Sequence, residues 1–200
     1  MKILLISDEE DPALWEYYQP GRLSGYDLIL SAGDLKAEYL SFLVTMTNLP
    51  VLWVHGNHDG SYDRFPPEGC DCVEDKLVTI KGLRILGLGG CAVYSGEKQQ
   101  FTEQEMARRI RRLNHAVKKA GGVDIILTHC PPKGYGDAED YAHRGFEVFL
   151  PMLDKWKPKV LVHGHLHVRY GAPRELSYGG TRIINASGRF TLEMEPESAK

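Results

Sequence analysis

The chain has 200 residues, a length that predicts one domain with a sizeable hydrophobic core. Hydrophobic residues make up 42% and charged residues 26% of it, which excludes disordered, collagen-like and long coiled-coil proteins. The net charge of −3 provides no global positive field, so a protein that binds nucleic acid through bulk electrostatics is disfavoured.

The N-terminal segment predicts a cytoplasmic protein with no membrane partner. Only residues 3–6 form an apolar run before the first polar cluster, which is too short for a signal peptide or a membrane span. Four cysteines in a reducing compartment are expected to be free thiols. Cys70 and Cys72 are spaced like half of a metal site, but no second cysteine pair follows at zinc-finger spacing.

Short apolar runs that stop at polar clusters predict the strands of an α/β sheet covered by helices. In chain order, the predicted strands are 2–7, 27–31, 51–54, the hairpin of 77–80 and 83–88, 123–128, 159–162, and an antiparallel pair of 181–185 and 189–193. The predicted helices are 35–48, 102–120 and 144–157. No repeat or linker interrupts these elements, so residues 1–200 are predicted to form a single domain.

The helix predicted at 102–120 begins with a capping box formed by Thr102 and Glu105. Behind the acidic first turn it carries a run of basic residues, Arg108, Arg109, Arg111, Arg112, Lys118 and Lys119. This order of charges complements the helix dipole and favours a solvated outer face. A surface that binds a polyanion is the alternative interpretation.

Residues that can bind metal ions follow five of the predicted strands, where the carboxyl ends of parallel strands form a ligand-binding edge. They are Asp8, Glu9, Glu10, Asp34, Asn57, His58, Asp59, His129, His165 and His167. Taken singly, each has an ordinary interpretation as a turn, a helix cap or a core histidine. Together they form a set of oxygen and imidazole ligands without cysteine. Such a set is typical of a site for Mn²⁺, Fe or Zn²⁺ and not of a structural thiolate site.

The order of these motifs resembles that of the calcineurin-like metallophosphoesterase superfamily. The family pattern D-x-H, G-D, G-N-H-[DE], a lone H and G-H-x-H is matched by segments 8–10, 33–34, 56–59, 129 and 164–167, four of them fully. The resemblance extends from residue 2 to about residue 190. It implies an α/β (α+β) fold, a four-layer αββα sandwich of two mixed β-sheets flanked by helices.

The resemblance also implies a centre of two divalent metal ions. Carried over by position, the metal ligands are Asp8, Glu10, Asp34, Asn57, His129, His165 and His167, with Asp34 shared by both ions. His58 would be the general acid, and Asp59 would orient its ring. Such a metal pair holds two phosphoryl oxygens and activates a bridging hydroxide for in-line attack. Mn²⁺ is the favoured ion, with Fe, Zn²⁺ and Mg²⁺ as alternatives.

Four further residues receive less specific roles. Arg144 and Tyr94 are candidate substrate contacts, although a solvated position is an equal alternative for Arg144. His55 and His163 lie outside the matched motifs and are interpreted as residues that support the ligands or pack beside them.

One motif departs from the family pattern, because Glu10 stands where the family has a histidine. A ligating carboxylate adds a negative charge, so we hypothesise a site that prefers Mn²⁺ or Mg²⁺ over Zn²⁺ and holds a less acidic water. Weaker attraction for a dianion would then favour diesters over monoesters. The alternative is that Glu10 faces away from the metals and the first ion binds weakly.

The sequence therefore predicts a metal-dependent phosphoric ester hydrolase that acts on a small ester, with diesters favoured. Two other functions stay open. One is a metal-binding scaffold for other proteins with little or no turnover, and the other is a nuclease, which only the basic helix supports.

Overall fold

Thirteen strands and three α-helices lie within residues 1–195, the part of the chain that the computed structural model describes. The strands are β1 Lys2–Ser7, β2 Leu28–Ser31, β3 Val51–Trp53, β4 Asp71–Cys72, β5 Leu77–Ile80, β6 Leu83–Leu88, β7 Cys91–Ala92, β8 Gln100–Phe101, β9 Ile125–Thr128, β10 Val160–His163, β11 Glu175–Tyr178, β12 Thr181–Asn185 and β13 Gly188–Glu193. The helices are α1 Ala37–Thr47, α2 Glu103–Lys119 and α3 Phe149–Trp156. No helix within the described residues is long and apolar enough to cross a membrane.

The strands form two large mixed sheets and one small one. The first sheet has the order β13-β1-β2-β3-β4, in which only β13 runs antiparallel to its neighbour. The second has the order β11-β12-β10-β9-β6-β5, with a parallel centre and antiparallel strands at both edges. Strands β7 and β8 pair separately. In both large sheets the carboxyl ends of the parallel strands carry the site loops.

The two large sheets pack face to face and bury the inward side chains of both. Leu5 and Leu30 of the first sheet belong to the same buried cluster as Leu127 and Val162 of the second. Helix α1 covers the outer face of the first sheet, and helices α2 and α3 cover that of the second. Each fully buried Leu or Val contributes about 1.5–3 kcal/mol to stability. The four layers are those implied by the resemblance.

The predicted antiparallel pair of 181–185 and 189–193 is wrong. Strand β12 instead lies parallel to β10 in the second sheet, whereas β13 pairs with β1 in the first. Gly188, with φ +70°, stands where the chain passes from one sheet to the other. Alternating apolar residues specify a strand but not its partner, so the sequence pattern alone did not distinguish the two arrangements.

The helix predicted at 144–157 begins later, at Phe149. The preceding residues form a loop because the Gly145 backbone packs against Pro132, where a Cβ atom would lie 2.6 Å from the carbonyl carbon. The backbone N–H of Phe146 donates to the carbonyl oxygen of Pro131 at 3.0 Å. These contacts hold the segment against the loop that follows β9.

All but one of the predicted basic residues of α2 are exposed to solvent, as expected. Arg109 is only 7% exposed and forms ion pairs with Glu74 and Asp75. Its position, three residues after Met106 and four before Leu113, is on the apolar face of the helix. The predicted capping box is present between Thr102 and Glu105.

Candidate metal centre

Loops that follow β1, β2, β3, β9 and β10 meet at one edge of the two sheets. The backbone of three residues in these loops is left-handed: φ is 63° for Asp8, 57° for Asp34 and 70° for His165. Residues other than glycine rarely adopt this backbone conformation, and such backbone strain is concentrated at functional sites.

Two glycines allow the loops to approach one another. A Cβ atom on Gly56 would lie 2.0 Å from Oδ1 of Asp34, and one on Gly164 would lie 2.7 Å from Oδ2 of Asp8. Both contacts are far inside van der Waals distance. The glycines of the G-N-H-D and G-H-x-H motifs are therefore needed because a neighbouring carboxylate occupies the place of a side chain.

The centre of the site is a group of two partly buried carboxylates and one fully buried imidazole. The donor atoms of Asp8, Asp34 and His129 all lie within 4.8 Å of one another. Nε2 of His129 lies 3.2 Å from Oδ2 of Asp34 and 3.0 Å from Oδ1 of Asn57. The carboxylate of Asp8 accepts hydrogen bonds from the Ser7 hydroxyl at 2.6 Å and from the backbone N–H of His165 at 2.9 Å.

The charges in this group are strongly coupled. Burial raises the pKa of Asp8. Burial alone would also raise the pKa of Asp34, but the charge of His129 and its hydrogen bond lower it to about 2. For His129, burial would lower the pKa, whereas the charges of Asp34 and Asp8 raise it to about 9. Two buried carboxylates thus compete for one positive charge. A divalent cation would supply further positive charge, and carboxylate, imidazole and amide groups are suitable ligands for such a cation.

The three predicted ligand histidines each have one ring nitrogen held by an oxygen acceptor. Nδ1 of His129 donates to the carbonyl oxygen of Ala32 at 2.7 Å, and Nε2 of His165 donates to that of Ala142 at 2.9 Å. Nδ1 of His167 donates to Oε1 of Glu9 at 2.5 Å. Each ring therefore keeps its other nitrogen for a metal ion, as is usual for ligating histidines.

The geometry agrees with the comparisons with known proteins. The sequence profile of the calcineurin-like phosphoesterases matches residues 1–169. The chain belongs to this family. The crystal structure of TT1561 of Thermus thermophilus has the same fold, with a TM-score of 0.66 over 94% of this chain and 89% of that one, at 16% identity.

Curated relatives of this chain are distant. Metallophosphoesterase domain-containing protein 1 of Homo sapiens is 26% identical over 201 residues, which is 80% of this chain and 59% of the relative. The UPF0046 protein K07C11.7 of Caenorhabditis elegans is 26% identical over 194 residues, 80% of this chain and 62% of the relative. The lariat debranching enzyme of Entamoeba histolytica is 24% identical over 177 residues, which is 70% of this chain and 46% of the relative. The chain thus spans about half to three fifths of their length.

Glu10, the residue that departs from the family pattern, lies beside the central group. Its Oε1 accepts a hydrogen bond from the backbone N–H of Lys36 at 3.0 Å, immediately before α1. It is not one of the three residues whose donor atoms lie within 4.8 Å of one another. Its assignment as a metal ligand stays a prediction, and its contact favours the alternative in which it faces away from the metals.

The structure gives Asp59 a contact that the sequence did not indicate. Its Oδ2 accepts hydrogen bonds from the backbone N–H groups of Asp34 at 2.8 Å and Gly56 at 2.7 Å. Burial and the charge of Asp34 raise the pKa of Asp59 to about 6. The ring of His58 is exposed, and within residues 1–195 it has no hydrogen bond to Asp59. Asp59 thus ties the loops after β2 and β3 together.

The two candidate substrate residues occupy different places. The hydroxyl of Tyr94 accepts a hydrogen bond from Nδ2 of Asn57 at 3.1 Å, so Tyr94 directs the amide oxygen of Asn57 towards His129. The guanidinium of Arg144 stacks 4.3 Å from the centroid of the Tyr141 ring. Within the described residues Arg144 makes no side-chain hydrogen bond to the metal ligands.

A buried ionic network supports the loop after β3. Nδ1 of His55 donates to Glu74, and Glu74 also accepts a hydrogen bond from the guanidinium of Arg109 at 2.7 Å. The same guanidinium donates to the carbonyl oxygen of Gly89 at 2.8 Å. The other extra histidine, His163, is buried with Nδ1 against the carbonyl oxygen of Gly164. Burial lowers its pKa to about 4, which keeps the ring neutral.

Sequence reasoning missed the contact of Glu9 with His167 and the burial of Arg109. Glu9 is the variable residue of its motif, so nothing in the sequence marked it as the partner of His167. Arg109 had a signal, because its spacing from Met106 and Leu113 is that of a buried helix face.

Proposed function

We propose that this phosphoesterase is a metal-dependent hydrolase that cleaves phosphoric diesters in preference to monoesters. The observation that carries the proposal is the group of Asp8, Asp34 and His129, whose two partly buried carboxylates share one imidazole and lack enough positive charge. Membership of the calcineurin-like family supports the reaction class.

The proposed metal ligands are those that the resemblance to the calcineurin-like family implies. Asp34 would be shared between two ions, with Asp8 and His167 on one side. Asn57, His129 and His165 would hold the other ion. When bound, divalent ions supply positive charge that stabilises phosphoryl oxygens and makes water more acidic. We propose Mn²⁺, because the set contains no thiolate and is rich in oxygen ligands.

His58 is the proposed general acid. Hydrolysis adds the oxygen of a water molecule to phosphorus and breaks the bond from phosphorus to the leaving oxygen. That oxygen then takes a proton, which an imidazole within hydrogen-bond reach can supply. The exposed ring of His58 lines an open cleft together with Asp34, so it is accessible to a substrate. Its backbone N–H is fixed by Oδ1 of Asp34 at 2.8 Å.

The preference for diesters follows from the charges around this cleft. Glu10, Glu38, Asp34 and Asp59 all line it. A monoester carries up to two negative charges near neutral pH and a diester only one, so the fixed carboxylates repel the monoester more strongly. Bound metal ions attract both esters, and the carboxylates of the cleft reduce this attraction more for the monoester than for the diester.

Hydrolysis of bis(p-nitrophenyl) phosphate with Mn²⁺ tests the proposal, with p-nitrophenyl phosphate as the monoester. The His58→Asn variant should lose about 10²- to 10⁴-fold in kcat, the usual contribution of a general acid, and keep its metal stoichiometry. His115→Asn, on the exposed face of α2, is the matched control and should retain full activity. A parent protein inactive with Mn²⁺, Fe, Zn²⁺ and Mg²⁺ would contradict the proposal.

A scaffold function is the second candidate, and the contacts of Asp59 favour it. A carboxylate partner for His58 would have been an argument for catalysis, but Asp59 is occupied by two backbone N–H groups. A protein that binds metal ions tightly and turns over neither ester is the outcome that this candidate requires.

The nuclease candidate gains little from the structure. The buried guanidinium of Arg109 already pairs with two carboxylates and is not available to a polyanion. Only Arg108, Arg111 and Arg112 remain exposed in that part of α2. Neutralising these three should abolish nuclease activity and spare small diesters if nucleic acid is the substrate.

A further inference from the structure

A cleft of about 320 Å³ adjoins the metal centre on the side of His58. Its charged lining consists of Glu10, Asp34, Lys36, Glu38, His58 and Asp59. Its apolar side is formed by Leu35, Tyr62 and Phe65, and Phe65 is 66% exposed. The volume is at the lower end of small-molecule sites and suits one aryl or alkyl group.

The contents of this cleft follow from the role of His58. If His58 protonates the leaving oxygen, the group attached to that oxygen lies in the cleft that His58 lines. The cleft would therefore hold the leaving group of the substrate. This step rests on the proposed function.

Glu10 places a fixed negative charge in the cleft. The hydrogen bond from the Lys36 backbone N–H holds its carboxylate in place. The ammonium group of Lys36 lies over the ring of Trp15, 5.2 Å from its centroid, and Trp15 does not line the cleft. Within the described residues Glu10 has no side-chain ion pair. Its charge therefore acts on whatever enters the cleft.

We propose that Glu10 is a specificity-determining residue that selects diesters with an uncharged leaving group. A leaving group with a second negative charge would lie beside a carboxylate that is held in the cleft by its hydrogen bond from the Lys36 backbone N–H. Two like charges a few ångströms apart near a protein surface repel one another enough to change an equilibrium about tenfold. Nucleic acid is disfavoured by the same effect, because its leaving nucleotide carries further phosphates.

Two chromogenic diesters that differ by one charge test this proposal. The first is methyl p-nitrophenyl phosphate, and the second has an additional carboxylate ortho to the nitro group. For the parent protein with Mn²⁺, kcat/KM should be about tenfold higher for the first diester. Glu10→Gln keeps a hydrogen-bond acceptor for Lys36 and removes the charge. In this variant the ratio should fall to about threefold or less through faster cleavage of the charged diester.

Glu16→Gln is the matched control, because it makes the same charge change at an exposed residue that does not line the cleft. It should leave the ratio at the parent value. An unchanged ratio in Glu10→Gln would overturn the proposal. So would equal losses with both diesters together with weaker Mn²⁺ binding, because that result would make Glu10 a metal ligand.

Failure of the proposed function is separable from failure of this inference. If the parent cleaves neither diester with any metal ion, both diesters are stable ligands and their dissociation constants can be measured by NMR titration. In the parent protein, the dissociation constant should be about tenfold larger for the charged diester than for the uncharged one. A smaller ratio of these constants in Glu10→Gln would support Glu10 as the selecting residue even without turnover. A ratio near one in the parent protein would overturn it.

Discussion

The two halves of the candidate metal centre differ in how firmly their ligands are held. On one side, Asn57, His129 and His165 are all 7% exposed or less, and each ring or amide has a hydrogen-bond partner. On the other side, the side chains of His167 and Glu9 are 30% and 28% exposed. Burial and fixed partners reduce the freedom that a ligand loses when it binds a metal. We therefore expect the buried half to bind its ion more tightly.

The largest expected difference between the halves concerns stability. His129→Ala removes the cation that compensates Asp8 and Asp34, and breaking a buried pair in this way costs about 3–5 kcal/mol. His167→Ala breaks a partly exposed pair with Glu9, which is worth about 1 kcal/mol or less. Urea unfolding of the metal-free variants measures both costs. Equal losses would show that the two halves are equally important for folding.

Metal affinity should show the next largest difference. Glu9→Gln weakens the carboxylate that orients His167, and loss of such a partner typically lowers metal affinity about 10- to 100-fold. Titration calorimetry with Mn²⁺ should show this effect on the weaker of two binding events only.

Arg169→Gln provides the control for that experiment. Arg169 is the other partner of the Glu9 carboxylate, at 3.0 Å, but it does not contact His167. The Arg169→Gln substitution should change the Mn²⁺ affinity of each binding event by about threefold at most, as expected for the loss of an exposed ion pair. A change in the tighter event in Glu9→Gln would contradict the division into two halves.

The sequence predicted that the loops carrying the buried half meet at one edge of the sheets, whereas the metal-binding roles of their residues stay predictions. Glycine-containing motifs after apolar strands indicated Asn57 and His165, because parallel strands bring their carboxyl ends together whatever their exact register. Roles that depend on a choice between nearby partners were not predictable. Asp59 was expected to bond the ring of His58 next to it, but the N–H groups of two loops that converge only in the folded chain are its partners.

The fold shows the same division. Burial patterns predicted where strands lie, since a continuous apolar run can be recognised locally. The partner of β13 was missed because pairing with β1 depends on contacts between residues far apart in the chain, such as Lys2 and Glu193. Glu10 combines both cases: its position in a motif was evident, but its contact with Lys36 depends on where α1 begins.

The smallest expected effect tests whether the buried half depends on its supporting hydrogen bonds. Tyr94→Phe keeps the ring and removes the hydroxyl that accepts from Nδ2 of Asn57. The amide oxygen of Asn57 would lose part of its orientation, so affinity in the tighter Mn²⁺ binding event should fall about two- to tenfold, the value of one hydrogen bond. Tyr26→Phe removes an exposed hydroxyl that bonds to Thr191 and should leave both events unchanged. If Tyr94→Phe instead affects only the weaker event, the amide of Asn57 belongs to the exposed half, and burial is not what separates the two halves.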